Sequence, residues 1–119
     1  MSNKELAKAF KLTAQLMELH DENPFKIRSI QNAAFKLERH PVPIETLDPN
    51  EIGSIEGVGK SIQTKITDLL TTNSFPEMDE MLKLTPRGVI DMLSIKGIGP
   101  KKVRTLWKEL GIESTGELL

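Results

Sequence analysis

The sequence predicts an all-α fold, a compact helical domain with two helix-hairpin-helix motifs. Three observations predict it: apolar residues recur at three- and four-residue spacing, proline and glycine separate these segments, and no alternating strand pattern exceeds a few residues. The 119 residues are 38% hydrophobic and 28% charged, with a net charge of -1, which is typical of a globular chain rather than a disordered one. The absence of cysteine excludes disulfides and thiolate metal sites.

Two long amphipathic helices are predicted in the first part of the chain. The first runs from Ser2 to about His20 and starts with a capping box of Ser2 and Glu5. The second follows the break before Pro24 and must end before Pro41. Its predicted apolar stripe consists of Phe25, Ile30, Ala33, Ala34 and Leu37.

Five further helices are predicted, most of them bounded by proline or glycine. They are a short helix over 49–53, a fourth ending near Asn73, a fifth from Pro76 through Leu82, a sixth with Pro86 in its first turn, and a seventh closed by Gly111. We expect an N-terminal subdomain over residues 1–73 and a second subdomain over residues 74–119.

An internal repeat is the most informative feature. The segment Ile55-Glu-Gly-Val-Gly59 recurs as Ile95-Lys-Gly-Ile-Gly99, 40 residues further on. With two copies and unequal flanking helices, the pattern indicates a duplicated motif rather than a solenoid, which needs several repeats to bury its faces.

Each repeat is a turn that opens a helix, and this arrangement suits phosphate binding. Glycine permits backbone angles that a Cβ would penalise and leaves peptide N–H groups uncovered. The first N–H groups of the following helix lack intrahelical partners, and the helix dipole favours an anion there. The alternative is that the glycines only make a compact connection, with Val58 and Ile98 packed inward and the lysines solvated.

Basic residues follow both turns and would add attraction to a nucleic-acid backbone. We predict DNA binding, without sequence specificity, by Gly57, Val58, Gly59, Lys60, Lys65, Gly97, Ile98, Gly99, Lys101, Lys102, Arg104, Lys26 and Arg28. A dinucleotide-binding loop is disfavoured because no predicted strand precedes either turn, and the glycine spacing of a Walker-type loop is absent.

The two repeats, Ile55 to Ile66 and Ile95 to Arg104, resemble the helix-hairpin-helix motifs of the family X DNA polymerases. Glu22 to Arg28, followed by Ala33-Ala34, resembles the second helix of that family's N-terminal domain, particularly in its bacterial branch. The resemblance covers nearly the whole chain and implies a lyase-like subdomain, a second hairpin subdomain and a role in gap-filling DNA repair. Polymerisation requires a palm domain with metal-binding aspartates, which this sequence lacks.

The resemblance also aligns Lys65 with the lysine that some relatives use as a 5′-deoxyribose-phosphate lyase. Such a lysine attacks the sugar aldehyde as a free amine, and Lys26, Arg28 and Lys60 are its predicted cationic neighbours. Ile30 stands where relatives place a tyrosine, and Gln63 replaces a small residue. We therefore expect DNA binding as the function and keep the lyase, and a protein-interaction domain derived from the same fold, as alternatives.

The expected partners follow from these motifs. We expect gapped or nicked duplex DNA with a 5′-phosphate, further domains of a longer polymerase chain, a monomer and a cytoplasmic location. No apolar run is long enough for a signal peptide or a membrane span, so no membrane partner is expected. No metal site is expected; the resemblance admits a potassium or sodium ion at the hairpins as the one cofactor.

Overall fold

The long helix α1 (Asn3–Leu19) organises the fold, because its apolar face is covered by several other helices. It begins with the predicted capping box, in which Ser2 and Glu5 satisfy each other's backbone amides. It packs mainly against α2 (Pro24–Arg39) and also contacts α5 (Pro76–Leu84) and α7 (Pro100–Lys108). The computed structural model describes residues 1–95 and 97–111, and within these ranges the protein is all-α.

A connection that the helical periodicity did not reveal links α2 to the first hairpin. It contains a short 3₁₀ helix (Ile44–Thr46) whose Ile44 side chain is fully buried. The Asn3 side chain holds this connection, because its amide donates to the Val42 carbonyl at 2.9 Å and its oxygen accepts from the Ile44 amide at 2.8 Å. The start of α1 is thus tied to residues about forty positions away.

Two pairs of helices form the hairpins. The first pair is α3 (Pro49–Gly53) with α4 (Lys60–Thr72), and α4 ends at Asn73 in the left-handed conformation. The second pair is α6 (Arg87–Leu93) with α7 (Pro100–Lys108). Helix α5 (Pro76–Leu84) connects the two pairs.

Several predicted details differ from the structure. Helix α5 runs to Leu84 rather than Leu82, and Pro86 precedes α6 instead of lying in its first turn. Helix α7 ends at Lys108, so Leu110 lies beyond it and is largely exposed. The periodicity predicts Phe25 in the apolar stripe of α2, but its side chain is 78% exposed. At about 100° per residue, Phe25 lies nearly opposite Ile30 on the helix, on the same face as Arg28 and Asn32.

A single apolar core joins the two predicted subdomains. Phe10 of α1 stacks on Phe75, just before α5, with ring centroids 5.1 Å apart. Both rings are fully buried. The boundary between residues 73 and 74 therefore falls within a packed region, and the interface there is part of the core.

Candidate nucleic-acid interface

The two turns that join the hairpin helices have the same backbone geometry. Gly57 and Gly97 adopt positive φ angles of 86° and 90°, a region that favours glycine because it has no Cβ. The turns are closed by equivalent hydrogen bonds, from the Val58 amide to the Ile55 carbonyl and from the Ile98 amide to the Ile95 carbonyl. The repeat seen in the sequence is therefore a repeat in three dimensions.

The structural repeat begins one residue before the sequence repeat. Ser54 and Ser94 close α3 and α6 with φ, ψ of -85°, -7° and -84°, -8°. Their hydroxyls donate to the Glu51 and Asp91 carbonyls, respectively. The identical serines 40 residues apart were the sequence signal for this extension.

Each turn leaves backbone amides available at the start of the next helix. Gly59 and Gly99 are the N-cap residues of α4 and α7, and neither offers a side chain to accept from the first-turn amides. Both glycines are exposed, and among the described residues no atom beyond each glycine's chain neighbours lies within 4 Å of where a Cβ would be. An anion can therefore approach the amides of both turns closely.

Val58 and Ile98 provide the apolar side of the turns. Val58 is buried and Ile98 is half-buried, so these side chains anchor the turns to the core. The inward packing expected for a compact connection is therefore found for Val58 and in part for Ile98.

The predicted basic residues of the first hairpin divide into two groups. Lys60 is exposed beside the turn. Lys65 lies deeper, with 13% of its side chain exposed, and its Nζ donates to Ser61 Oγ at 2.9 Å and lies 3.5 Å from Glu77 Oε1. Lys26 shares the cavity around Lys65, whereas Arg28 lies elsewhere.

Arg28 belongs to a groove of about 610 Å³ that runs from α2 to the first turn. The groove is lined by two exposed aromatic rings, by polar and basic side chains of α2, and by the turn glycine: Phe25, Arg28, Ser29, Asn32, Phe35, Lys36 and Gly57. The sequence motifs did not identify Asn32, Phe35 and Lys36 as candidate site residues. Their spacing of three and four residues along α2 was the available signal.

In the second hairpin, Lys101 and Lys102 are exposed and flank Ile98 at a shallow surface groove. Arg104 points elsewhere, since its guanidinium lies 3.7 Å from the Asp21 carboxylate at the end of α1. The structure thus brings Lys101 and Lys102 to the turn and places Arg104 at the junction of α7 with α1.

Two further side chains near the first hairpin have partners that the sequence pattern did not predict. The acidic segment 77–80 has the pattern of a solvated helix face, but Glu77 is partly buried against Lys65. Gln63, a departure from the family pattern, donates from its Nε2 to the Pro49 carbonyl and so joins α3 to α4. Among residues 1–95 and 97–111, no group of three or more metal-ligating side chains could hold a metal ion.

The described helices include none that is long and apolar enough to cross a membrane. The potassium or sodium ion implied by the resemblance stays a prediction.

Two equivalent turns, each opening a helix with uncapped amides and nearby lysines, define a helix-hairpin-helix protein. The profile of the helix-hairpin-helix domain family matches residues 1–75, and the chain belongs to this family. It is also 29% identical over 118 residues, 99% of its own length, to the DNA polymerase/3′-5′ exonuclease PolX of Bacillus subtilis (strain 168). These matches confirm the resemblance to the family X DNA polymerases. The chain spans 20% of the length of that relative.

Proposed function

We propose that the chain is the part of a family X-type polymerase that grips DNA through backbone phosphates. The observation that carries this proposal is the shared backbone geometry of the two turns, each of which presents amides of the next helix beside exposed lysines. Helix α7 presents one amide fewer than α4, because its first residue is Pro100. Lys60 serves the first turn, and Lys101 and Lys102 serve the second. Contacts to phosphates hold DNA without reading its sequence.

The proposed DNA is a gapped or nicked duplex with a 5′-phosphate. Two phosphate clamps on one molecule suit a DNA that offers two backbone segments on either side of an interruption. The first hairpin, with Lys26 and Lys65 in an adjoining cavity, is proposed to hold the 5′ side, and the second hairpin the primer side. The relative's name, a DNA polymerase, supports this context.

We also propose that the chain divides into two subdomains, residues 1–73 and residues 74–119, with one hairpin in each. A family match that ends at residue 75 supports it. The polymerase context also supports attached domains, a cytoplasmic location and a DNA-repair role for the longer protein.

The test is fluorescence-anisotropy binding of the chain to a gapped duplex with a 5′-phosphate, across a salt series. We expect affinity to fall steeply with salt, and a Lys60→Gln/Lys101→Gln/Lys102→Gln variant to bind more weakly. Its log–log salt slope should shrink by about 0.9 for each phosphate that the variant no longer neutralises.

The matched control is a Lys4→Gln/Lys8→Gln/Lys83→Gln variant, which removes the same net charge from exposed lysines outside the hairpins. Equal losses of affinity in the two variants would show that binding depends on overall charge and would contradict the clamps. No binding by the intact chain would favour a protein-interaction domain.

Lyase activity is the second candidate, favoured by the position of Lys65 in a cavity shared with Lys26. The reaction would add the Nζ amine to the sugar aldehyde carbon and release water, giving an imine. A nucleophilic amine must present a lone pair, whereas Lys65 Nζ donates to Ser61 and faces the Glu77 carboxylate. Borohydride trapping on a 5′-abasic substrate, lost in Lys65→Arg, would establish the activity; no trapping by the intact chain would exclude it.

A further inference from the structure

The two hairpin turns share a backbone geometry but differ in what lies beside them. A Cβ on Gly57 would meet the Cγ, Cε and Cδ atoms of Lys36 at 3.1, 3.3 and 3.6 Å. The alkyl chain of Lys36, a residue of α2, therefore lies across the Cα of Gly57. At Gly97, no atom of the described residues beyond its chain neighbours lies within 4 Å of the same position. Within the part of the chain that the structure describes, only the first turn is covered in this way.

Lys36 keeps its positive charge available at the turn. Its side chain is half-buried, with the stem packed on Gly57, and a lysine packed in this way can leave its ammonium in water. Lys65 and Arg104 lie beside carboxylates instead. Within residues 1–95 and 97–111, no carboxylate forms an ion pair with Lys36. Its charge is therefore free to attract a phosphate of another molecule.

The residues of the first hairpin carry no net charge near the turn, unlike those of the second. Residues 55–63 contain one acidic and one basic side chain, Glu56 and Lys60. The equivalent residues 95–103 contain three basic side chains and no acidic one: Lys96, Lys101 and Lys102. Glu56 is exposed and repels a phosphate that approaches the amides of α4. The charge of Lys36 offsets this repulsion.

A phosphate can reach Gly57 and Lys36 together. Both residues line the groove of about 610 Å³ that runs along α2 to the first turn. Arg28 and Asn32 also line it, and because they precede Lys36 by eight and four residues, the three side chains follow one face of α2. The surface beside the first turn is therefore basic and open to a DNA backbone.

We propose that Lys36 is a DNA-binding residue of the first hairpin, supplied by α2 in place of a basic residue within the turn. Its ammonium contacts the backbone phosphate that the amides at the start of α4 bind. The second hairpin has the corresponding positive charge within its own sequence. The inference rests on the proposed function, since it adds a contact to one of the two phosphate clamps.

The first experiment measures anisotropy binding to the gapped duplex with a 5′-phosphate across a salt series. Lys36→Gln removes the charge but retains the part of the stem that packs on Gly57. We expect it to weaken binding by about two- to fivefold, the effect of one exposed ion pair. Its log–log salt slope should shrink by about 0.9, the value for one phosphate. Lys36→Arg keeps the charge and should bind like the intact chain.

Lys8→Gln is the matched control, because it removes the same charge from an exposed position of α1. It should change affinity and salt slope less than Lys36→Gln does. If the two variants change equally, while the Lys60→Gln/Lys101→Gln/Lys102→Gln variant loses affinity, the inference is overturned and the proposed function stands. If the intact chain shows no salt-sensitive binding, the proposed function fails and the inference fails with it.

A second measurement locates the effect within the molecule. In amide NMR titrations with inorganic phosphate, the dissociation constant reported by Gly59 and Lys60 should be about two- to fivefold higher in Lys36→Gln than in the intact chain. The constant reported by Lys101 and Lys102 in the second hairpin should stay the same, which would exclude a general effect on fold or charge. An unchanged constant at Gly59 and Lys60, or equal changes in both hairpins, would overturn the inference.

Discussion

The two glycines of the first turn have different physical roles. Gly57 has a φ of 86°, and a Cβ there would meet Lys36 Cγ at 3.1 Å. Gly59 has a φ of -82° and a ψ of -178°, which any residue can adopt, and the space around it is open. The fold of the turn therefore requires glycine at position 57. Glycine at position 59 is required only for another molecule to approach the amides of α4.

Substitutions at these glycines should separate stability from binding. Gly57→Ala is expected to lower the free energy of unfolding by about 1–2 kcal/mol, the cost of a left-handed conformation for a residue with a Cβ. Gly59→Ser should leave stability unchanged or raise it by about a few tenths of a kcal/mol, because serine can cap α4. Gly59→Ser should nevertheless weaken DNA binding, because the serine hydroxyl would accept a hydrogen bond from an α4 amide that a phosphate would otherwise contact.

Urea unfolding and anisotropy binding of both variants check this prediction. A Gly59→Ser variant that binds DNA as tightly as the intact chain would contradict the role assigned to the amides of α4.

At the scale of elements, three contacts join the end of α1 to the end of α5 and to α7. The Thr85 hydroxyl donates to the Met81 carbonyl at 2.7 Å and has no second proton, so its oxygen accepts from His20 Nε2, also at 2.7 Å. The His20 ring meets the edge of Trp107 in α7 at 5.5 Å between centroids. The ion pair of Asp21 with Arg104 lies at the same end of α1.

This junction should make stability depend on pH. Burial lowers the pKa of His20 below its usual value and nearby Lys108 lowers it further, with a smaller opposite effect of Glu22. At a pH of about 6.5, the His20 side chain therefore binds a proton in the unfolded chain but not in the folded chain. The contribution of neutral His20 to the free energy of unfolding is therefore complete above about pH 6.5. It is lost as the pH falls through the lower pKa that His20 has in the folded state.

Thermal unfolding of the intact chain and of His20→Gln between pH 5 and about pH 8 tests this effect. The difference in stability between pH 5 and pH 8 should shrink in His20→Gln and persist in His40→Gln. The same pH dependence in all three proteins would assign the effect to other groups.

At the scale of the whole molecule, the two hairpins are parts of one core. The fully buried Phe75 connects them, because it precedes α5 in sequence and packs on Phe10 of α1. Helix α1 also contacts α7. A cavity at this point would weaken the packing on both sides of the boundary at residue 73.

Phe75→Ala is accordingly expected to lower the free energy of unfolding by about 3–5 kcal/mol, the usual cost of deleting a buried aromatic ring. Phe35→Ala, at a side chain that is 52% exposed, should change it by no more than about 0.5 kcal/mol. Urea unfolding followed by circular dichroism and by Trp107 fluorescence measures both effects. The two signals should change together in the intact chain, and separate transitions would contradict the shared core.

The sequence by itself determined the class of the fold, the order of the helices and the duplicated turn. These features are local: a capping box at Ser2, a proline at the start of α5 and glycines at equal positions in two turns act within a few residues of the chain. In α2, periodicity also identified four of the buried residues, Ile30, Ala33, Ala34 and Leu37. The interpretation was wrong for Phe25, which at about 100° per residue lies on nearly the opposite side of α2 from Ile30.

Only the tertiary structure decided how the basic residues are distributed. It placed Arg104 against Asp21, Lys65 against Glu77, and Lys101 with Lys102 at the second turn. Long charged side chains can reach partners from distant segments, and their spacing along a helix does not specify which one they meet. The residues at the turns followed from sequence because backbone geometry is local, whereas the pairing of charges depends on how the helices pack.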